Sequence, residues 1–212
     1  MLKYLILYVI IQTVVGTCPP VNFNFSNTID LNRYTEHSWY VQYQQENNYQ
    51  PADSLKCVLA TYQIKNISVP NFNGLTFAIY NYNYQLLNDT NMTNFLCGRL
   101  PDETVQTKLL IGPSFLPNIL AGDYFIIDYD PDYQWAIISG GYPTEAYPDG
   151  CTTKKKSFLG NDVGFWFFTK EQFPSPKTIE IMKEKAIKKG YTLSQLIKVN
   201  QTDCNYSKIF IK

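Results

Sequence analysis

Residues 123–141 read DYFIIDYDPDYQWAIISGG, and this stretch decides the fold. Two runs of aromatic and β-branched residues are separated by Asp130, Pro131 and Asp132, which are residue types that favour tight turns. Apolar runs around so short a connection predict an antiparallel β-hairpin. The rest of the chain repeats the pattern, so we expect the hairpin to be one part of a larger antiparallel sheet.

Short strand-like runs recur on both sides of this hairpin and are separated by turn residues. Seven or eight such runs at hairpin spacing predict a β-barrel or a β-sandwich. One helix is predicted late in the chain, where Ser175 is placed as its cap, Pro176 suits its first turn and Gly190 ends it. The further runs are WYVQYQ (39–44), CVLATYQI (57–64), LTFAIYNYNY (75–84), TKLLI (107–111) and GFWFFTK (164–170).

Composition narrows the range of functions. The chain has 212 residues, of which 45% are hydrophobic, enough for one well-packed domain. It has 18 basic and 18 acidic residues, so its formal net charge is zero. A broad electropositive surface for nucleic acid is therefore not expected.

The N-terminal residues 1–16 have the pattern of a signal peptide, with a lysine, an apolar run and small residues before a cleavage site after Gly16. The apolar run Tyr4–Val15 is too short to span a bilayer. We therefore expect a secreted protein, comprising residues 17–212, whose cysteines form disulfides. Candidate N-glycosylation sites are Asn24, Asn66, Asn88, Asn91, Asn200 and Asn205.

Three motifs resemble those of the lipocalin family. They are DLNRYTEHSWYVQY (30–43), YFIIDYDPDYQWAIISGG (124–141) and WFFTKEQFPSPKTIEIMKEKAIKKGYTLSQLIKVNQTDC (166–204), in the family's order and at its distances. The CPP start at Cys18 is most similar to apolipoprotein D-like and bacterial-type outer lipocalins. The resemblance implies an all-β fold, an eight-stranded antiparallel up-and-down barrel with one C-terminal helix packed outside. It also implies a single domain over 17–212. In this chain a long loop is expected at 140–164 between strands G and H, where the family usually has a short turn.

The resemblance also assigns most of the cysteines. It implies one disulfide between Cys57 and Cys204 and another between Cys18 and Cys151. Cys97, near the predicted fifth strand, is left over. It is either a buried or spare thiol, a competitor of Cys18 for Cys151, or a reactive thiol inside the barrel.

The family pattern and the alternation of side chains along strands predict the binding site. Trp39 is expected to close one end of the barrel. Lys170 stands where the family has an arginine, which implies a cation–π contact with Trp39. Predicted to line the pocket are Val41, Tyr43, Val58, Ala60, Tyr62 and Trp166.

The expected function is reversible carriage of a small hydrophobic ligand, such as a lipid, sterol, isoprenoid or pigment. No catalytic residue, cofactor or metal is expected, because His37 is the sole histidine and Asp128, Asp130 and Asp132 suit a turn. Two alternatives stay open: a lipocalin-fold isomerase or de-epoxidase, and an interaction module with a filled barrel. A monomer or weak dimer is expected, and contact with a membrane surface or a receptor is left open.

Overall fold

The computed structural model describes residues 17–21, 23–84, 95–156, 163–207 and 209–212. The predicted signal peptide, residues 1–16, lies outside them. The helices are α1 (Leu31–Tyr34) and α2 (Pro176–Lys188), with 3₁₀ helices at Ala52–Ser54 and Asn118–Leu120. The strands are β1 (Trp39–Gln45), β2 (Leu59–Ile64), β3 (Thr76–Tyr82), β4 (Leu96–Arg99), β5 (Lys108–Gly112), β6 (Gly122–Tyr129), β7 (Trp135–Ser139), β8 (Glu145–Tyr147), β9 (Gly150–Thr152), β10 (Phe165–Thr169) and β11 (Leu196–Lys198).

Eight of these strands close into an antiparallel barrel. Their order is β1-β2-β3-β4-β5-β6-β7-β10, and β10 pairs with β1 to complete the ring. Strand β11 pairs with the second half of β1 from outside the ring. The predicted fold class, an eight-stranded barrel with a C-terminal helix outside, is confirmed.

The hairpin of β6 and β7 is apolar on both faces because both faces are buried. Side chains at alternate positions, such as Ile126 and Ile138, point into the barrel core. Their neighbours Phe125 and Ile137 point outward and pack against Met182 of α2. The apolar runs of the sequence are therefore continuous here, as expected for strands covered on both sides.

Helix α2 begins and ends as predicted. The Ser175 hydroxyl accepts a hydrogen bond from the Thr178 amide at 3.1 Å, and Pro176 is its first residue. Gly190 follows the helix with a φ of 82°, a left-handed conformation that favours glycine. No helix in the described part of the chain is both long and apolar enough to cross a bilayer.

One disulfide attaches the N-terminal segment to the small hairpin of β8 and β9, and another attaches the C-terminal segment to the residues just before β2. Cys18 is bonded to Cys151, and Cys57 is bonded to Cys204. These are the pairs that the resemblance implies. Cys151 belongs to the small hairpin of β8 and β9, which forms part of the long 140–164 connection.

Strands β4, β8, β9 and β11 were not predicted as separate strands. Cys97 lies in β4 and pairs with Gly112 of the fifth strand, β5. Strand β4 has only four residues and contains Gly98 and Arg99, which are weak strand signals. A side chain at Gly98 would place its Cβ 2.1 Å from the ring of Phe77. Close packing against the neighbouring strand therefore explains the glycine.

Candidate functional site

The barrel encloses a cavity of about 430 Å³. This volume lies in the range of small-molecule sites. Five of the six predicted pocket residues line it, namely Val41, Val58, Ala60, Tyr62 and Trp166. The rest of its wall is mainly apolar and includes Leu59, Ile79, Leu96, Ile111, Tyr124 and Phe168. The barrel is therefore hollow, which argues against the interaction module with a filled barrel.

Tyr43, the sixth predicted residue, lies on the outside of the barrel. A β-bulge between Val41 and Tyr43 shifts the pairing of β1 with β10 by one residue, and such a shift moves later side chains to the opposite face. The Tyr43 ring packs instead on Phe167, at 6.0 Å between ring centroids, and under Lys183 of α2. The prediction was wrong because strict alternation does not survive a bulge.

The bulge also turns a glutamine inward. Gln44 is buried, pairs with Trp166 across the strands and donates to the Gln50 amide oxygen at 2.6 Å. Gln50 lines the cavity near its mouth. This polar pair was missed, since nothing in the alternating sequence marks the bulge.

Trp39 lies at the opposite, closed end of the barrel. It is fully buried, and its indole nitrogen donates to the Tyr34 carbonyl at 2.9 Å. The ring of His37 lies 4.4 Å from the Trp39 ring, between centroids. The short helix α1 and the turn before β1 thus seal this end.

The predicted contact between Lys170 and Trp39 is wrong. Lys170 is exposed, and the cation–ring contacts among the described residues do not include it. His37 packs against the indole instead. Burial and then the charge of Lys170 lower the pKa of His37 from 6.5 to about 4, so the imidazole is neutral at physiological pH.

Three tyrosines form a hydrogen-bonded cluster beside the cavity. The Tyr124 hydroxyl is 2.6 Å from that of Tyr34 and 2.8 Å from that of Tyr62. Two hydrogen bonds use two of the three hydroxyl hydrogens, so one hydrogen remains for an acceptor on a ligand. Tyr62 and Tyr124 both line the cavity. The sequence predicted Tyr62 alone, because the three residues come from distant segments.

The cluster is neutral. Burial is the main reason that the pKa values of Tyr34 and Tyr124 are raised well above 10. The proximity of Tyr62 raises both pKa values further. Among the described residues, the lining of the cavity includes no lysine, arginine or histidine. The one acidic residue of this lining, Asp123, is the second residue of β6. The site therefore suits an uncharged ligand with a hydrogen-bond acceptor better than a carboxylate.

Among the described residues, three connecting segments contribute to the mouth of the cavity at the open end. Tyr49 comes from the connection between β1 and β2, Pro113 and Leu120 come from that between β5 and β6, and Val163 precedes β10. A depression of about 700 Å³ lies elsewhere, beside Asp30. It is more open to solvent and its lining is more polar, so the barrel cavity is the better candidate for a hydrophobic ligand.

Cys97 does not face the cavity. Its neighbour Leu96 lines the cavity, so the Cys97 side chain lies on the other face of β4, where it is buried. Burial raises the pKa of its thiol, and the Arg99 guanidinium opposes this effect more weakly. A raised pKa leaves the thiol protonated and weakly nucleophilic. The reactive thiol inside the barrel is therefore not supported.

The predicted glycosylation sites divide by location. Asn24, Asn66, Asn200 and Asn205 are exposed in the structure, as a glycan requires. Asn88 and Asn91 lie outside the described residues.

The chain has relatives among known proteins, although no protein-family model matches it. Temperature-induced lipocalin-1 from Arabidopsis thaliana is 33% identical over 92 residues, which cover 43% of this chain but only 39% of that relative. Apocrustacyanin C1 superposes with a TM-score of 0.55 at 19% identity, covering 90% of this chain and 92% of that one. Insecticyanin from the tobacco hornworm Manduca sexta gives 0.54 at 16% identity, with coverages of 89% and 88%. These structures share the fold of this chain.

Proposed function

We propose that this chain, a lipocalin by its fold, reversibly binds and carries one small, uncharged hydrophobic molecule with a hydrogen-bond acceptor at one end. The observation that carries the proposal is the hollow barrel of about 430 Å³ with its tyrosine cluster. The apolar wall supplies affinity through burial, and the spare hydroxyl hydrogen orients the ligand. Sterols, isoprenoid alcohols and uncharged pigments match this description.

The two disulfides and the N-terminal apolar run support carriage outside the cell or in the secretory lumen. The position of Cys97 supports a carrier rather than an isomerase. The single histidine supports the same choice, because His37 is at the closed end beside Trp39.

The test compares two ligands with the same branched skeleton, phytol and phytane, which differ by one hydroxyl. Protein purified from a secretory host is freed of co-purifying lipid by organic extraction. Binding is then followed by the change in tryptophan fluorescence, since Trp166 lines the cavity. We expect saturable binding of both, with phytol about tenfold tighter, the equivalent of one added hydrogen bond.

A matched pair of variants locates the binding. Tyr62→Phe/Tyr124→Phe removes both cavity-lining hydroxyls of the cluster and is expected to weaken phytol binding while leaving phytane binding unchanged. Tyr43→Phe makes the same chemical change on the outside of the barrel and is expected to alter neither. The proposal fails if neither ligand binds the extracted protein, or if both variants behave alike.

A further inference from the structure

The open end of the barrel exposes large apolar side chains beside the mouth of the cavity. Residues 113–121, PSFLPNILA, connect β5 to β6 and contain no charged residue; we call them the apolar mouth segment. Phe115 is 74% exposed, Ile119 is 80% exposed and Leu120 is 42% exposed. Exposed apolar residues grouped in this way mark an interaction surface more often than isolated ones do.

The apolar mouth segment is held in one shape by the barrel. Arg99, on the outside of β4, is completely buried, and its guanidinium donates to the Pro113 carbonyl at 2.6 Å. The 3₁₀ helix at 118–120 adds a backbone bond from the Leu120 amide to the Pro117 carbonyl at 3.0 Å. The exposed side chains therefore project from an ordered support, so docking requires little further ordering.

The same segment continues into the cavity. Pro113 and Leu120 line the cavity wall, while Phe115 and Ile119 project from the segment into solvent. A hydrophobic molecule leaving the cavity at this point meets apolar side chains before it meets water. The exposed apolar side chains are thus continuous with the wall of the cavity.

Basic residues border the mouth beside another connection. Lys154 pairs with Val163, which lines the cavity, and the Lys155 carbonyl accepts from the Asn48 amide at 3.0 Å. The Lys155 ammonium lies 3.9 Å from the solvent-exposed carboxylate of Glu46. Lys156 is exposed. Apolar and basic groups therefore occur together at this end.

We propose that the open end docks on the surface of an anionic lipid bilayer. The apolar mouth segment enters the boundary between headgroups and acyl chains, and residues 154–156 lie against the headgroups. Burial of apolar area together with attraction of lysines to anionic lipid is the combination that holds peripheral proteins on membranes. The docking itself stands on surface chemistry, while ligand exchange with the bilayer rests on the proposed function.

The test is cosedimentation of the purified chain with sucrose-loaded vesicles of phosphatidylcholine, with and without added phosphatidylserine. We expect binding that increases with phosphatidylserine. The double variant Phe115→Ser/Ile119→Ser is expected to lower the partition coefficient at least about tenfold, because two exposed side chains lose most of their transfer free energy. Lys155→Gln/Lys156→Gln is expected to remove mainly the phosphatidylserine-dependent part.

The control variant is Phe173→Ser/Ile187→Ser. These residues are 64% and 57% exposed and lie after β10 and on α2, away from the mouth. Their substitution changes apolar exposure by a similar amount and is expected to leave vesicle binding unchanged. Equal losses in the two double variants would overturn the proposal, as would the absence of vesicle binding by the unaltered chain.

Two further measurements separate the remaining explanations. Sedimentation velocity detects self-association, and a dimer that the Phe115→Ser/Ile119→Ser variant disrupts, without vesicle binding, would assign the patch to a second copy and refute lipid docking. Phe115 and Ile119 do not line the cavity, so phytol binding in solution is expected to persist in that variant. Vesicle binding without any phytol binding would refute the proposed function and leave the docking intact.

Discussion

The Tyr124→Phe variant tests the tyrosine cluster most directly, because Tyr124 makes both of its hydrogen bonds. The substitution keeps the ring and removes one hydroxyl, so packing changes little. It abolishes the contacts of 2.6 Å with Tyr34 and 2.8 Å with Tyr62. Tyr62→Phe is the matched comparison, since it removes only one of these bonds and leaves Tyr34 with its partner.

The expected magnitudes follow from counting bonds and stranded groups. A buried hydrogen bond contributes about 1 kcal/mol net, and a buried polar group left without a partner costs about 1 to 3 kcal/mol more. In Tyr124→Phe two bonds are lost and the Tyr34 hydroxyl is stranded in the interior, so the free energy of unfolding falls by about 3 to 5 kcal/mol. In Tyr62→Phe one bond is lost and no hydroxyl is stranded, so it falls by about 1 kcal/mol.

The assay is equilibrium unfolding in urea with both disulfides intact, on lipid-free protein, followed by tryptophan fluorescence. Removal of ligand matters because a bound ligand stabilises the folded state by mass action. Equal decreases in the free energy of unfolding of the two variants would refute the reasoning. They would mean that Tyr34 and Tyr62, whose ring centroids are 5.5 Å apart, bond directly once the Tyr124 hydroxyl is gone.

Two other predictions concern the closed end and the long connection. The pKa of His37 is lowered from 6.5 to about 4 in the folded protein, so between these pH values the unfolded chain binds a proton that the folded chain does not. The free energy of unfolding therefore decreases as pH falls from about 6.5 towards 4. An NMR titration of this sole histidine should show a midpoint that rises in Lys170→Gln, and an unchanged midpoint would contradict the effect of the lysine charge. Gly140→Ala would place a Cβ 1.8 Å from the Val163 carbonyl oxygen, whereas the Cβ of Gly112→Ala would lie 3.4 Å from its nearest atom. Thermal unfolding should show a loss of stability of about 2 kcal/mol or more for Gly140→Ala only. Equal stability of the two variants would contradict this packing.

Local signals predicted the parts of the fold that local physics determines. The hairpin around Asp130 and the helix capped by Ser175 are fixed by turn and cap chemistry within a few residues, so the sequence predicts them directly. The family motifs added barrel closure and implied the disulfide pairs. Cysteine counting alone leaves many pairings open.

The parts that were missed depend on contacts between distant segments. The bulge that turns Tyr43 outward has no marker in the sequence of β1, yet it changes which side chains reach the cavity. The tyrosine cluster joins residues from α1, β2 and β6, separated by up to 90 positions. Strand β4 was not predicted because it contains Gly98, a residue type that is rare in strands. The glycine is required because a Cβ there would clash with the ring of Phe77 on the neighbouring strand. None of these features can be predicted until the positions of the distant segments relative to each other are known.

A second apolar layer lies between the outer face of the barrel and helix α2, and its position explains how the barrel can remain hollow. A dry, empty cavity of 430 Å³ would cost up to about 10 kcal/mol at about 24 cal/mol per Å³, which rivals the whole stability of a domain. Water entering through the mouth reduces this cost, and the outer layer offsets the remainder. There Phe125, Ile137 and Phe165 pack with Met182 of α2 and with Tyr191, whose ring stacks on Phe165 at 4.3 Å. Because this core lies outside the barrel, the interior need not be filled for the strands to stay closed, and its free volume is left for a ligand.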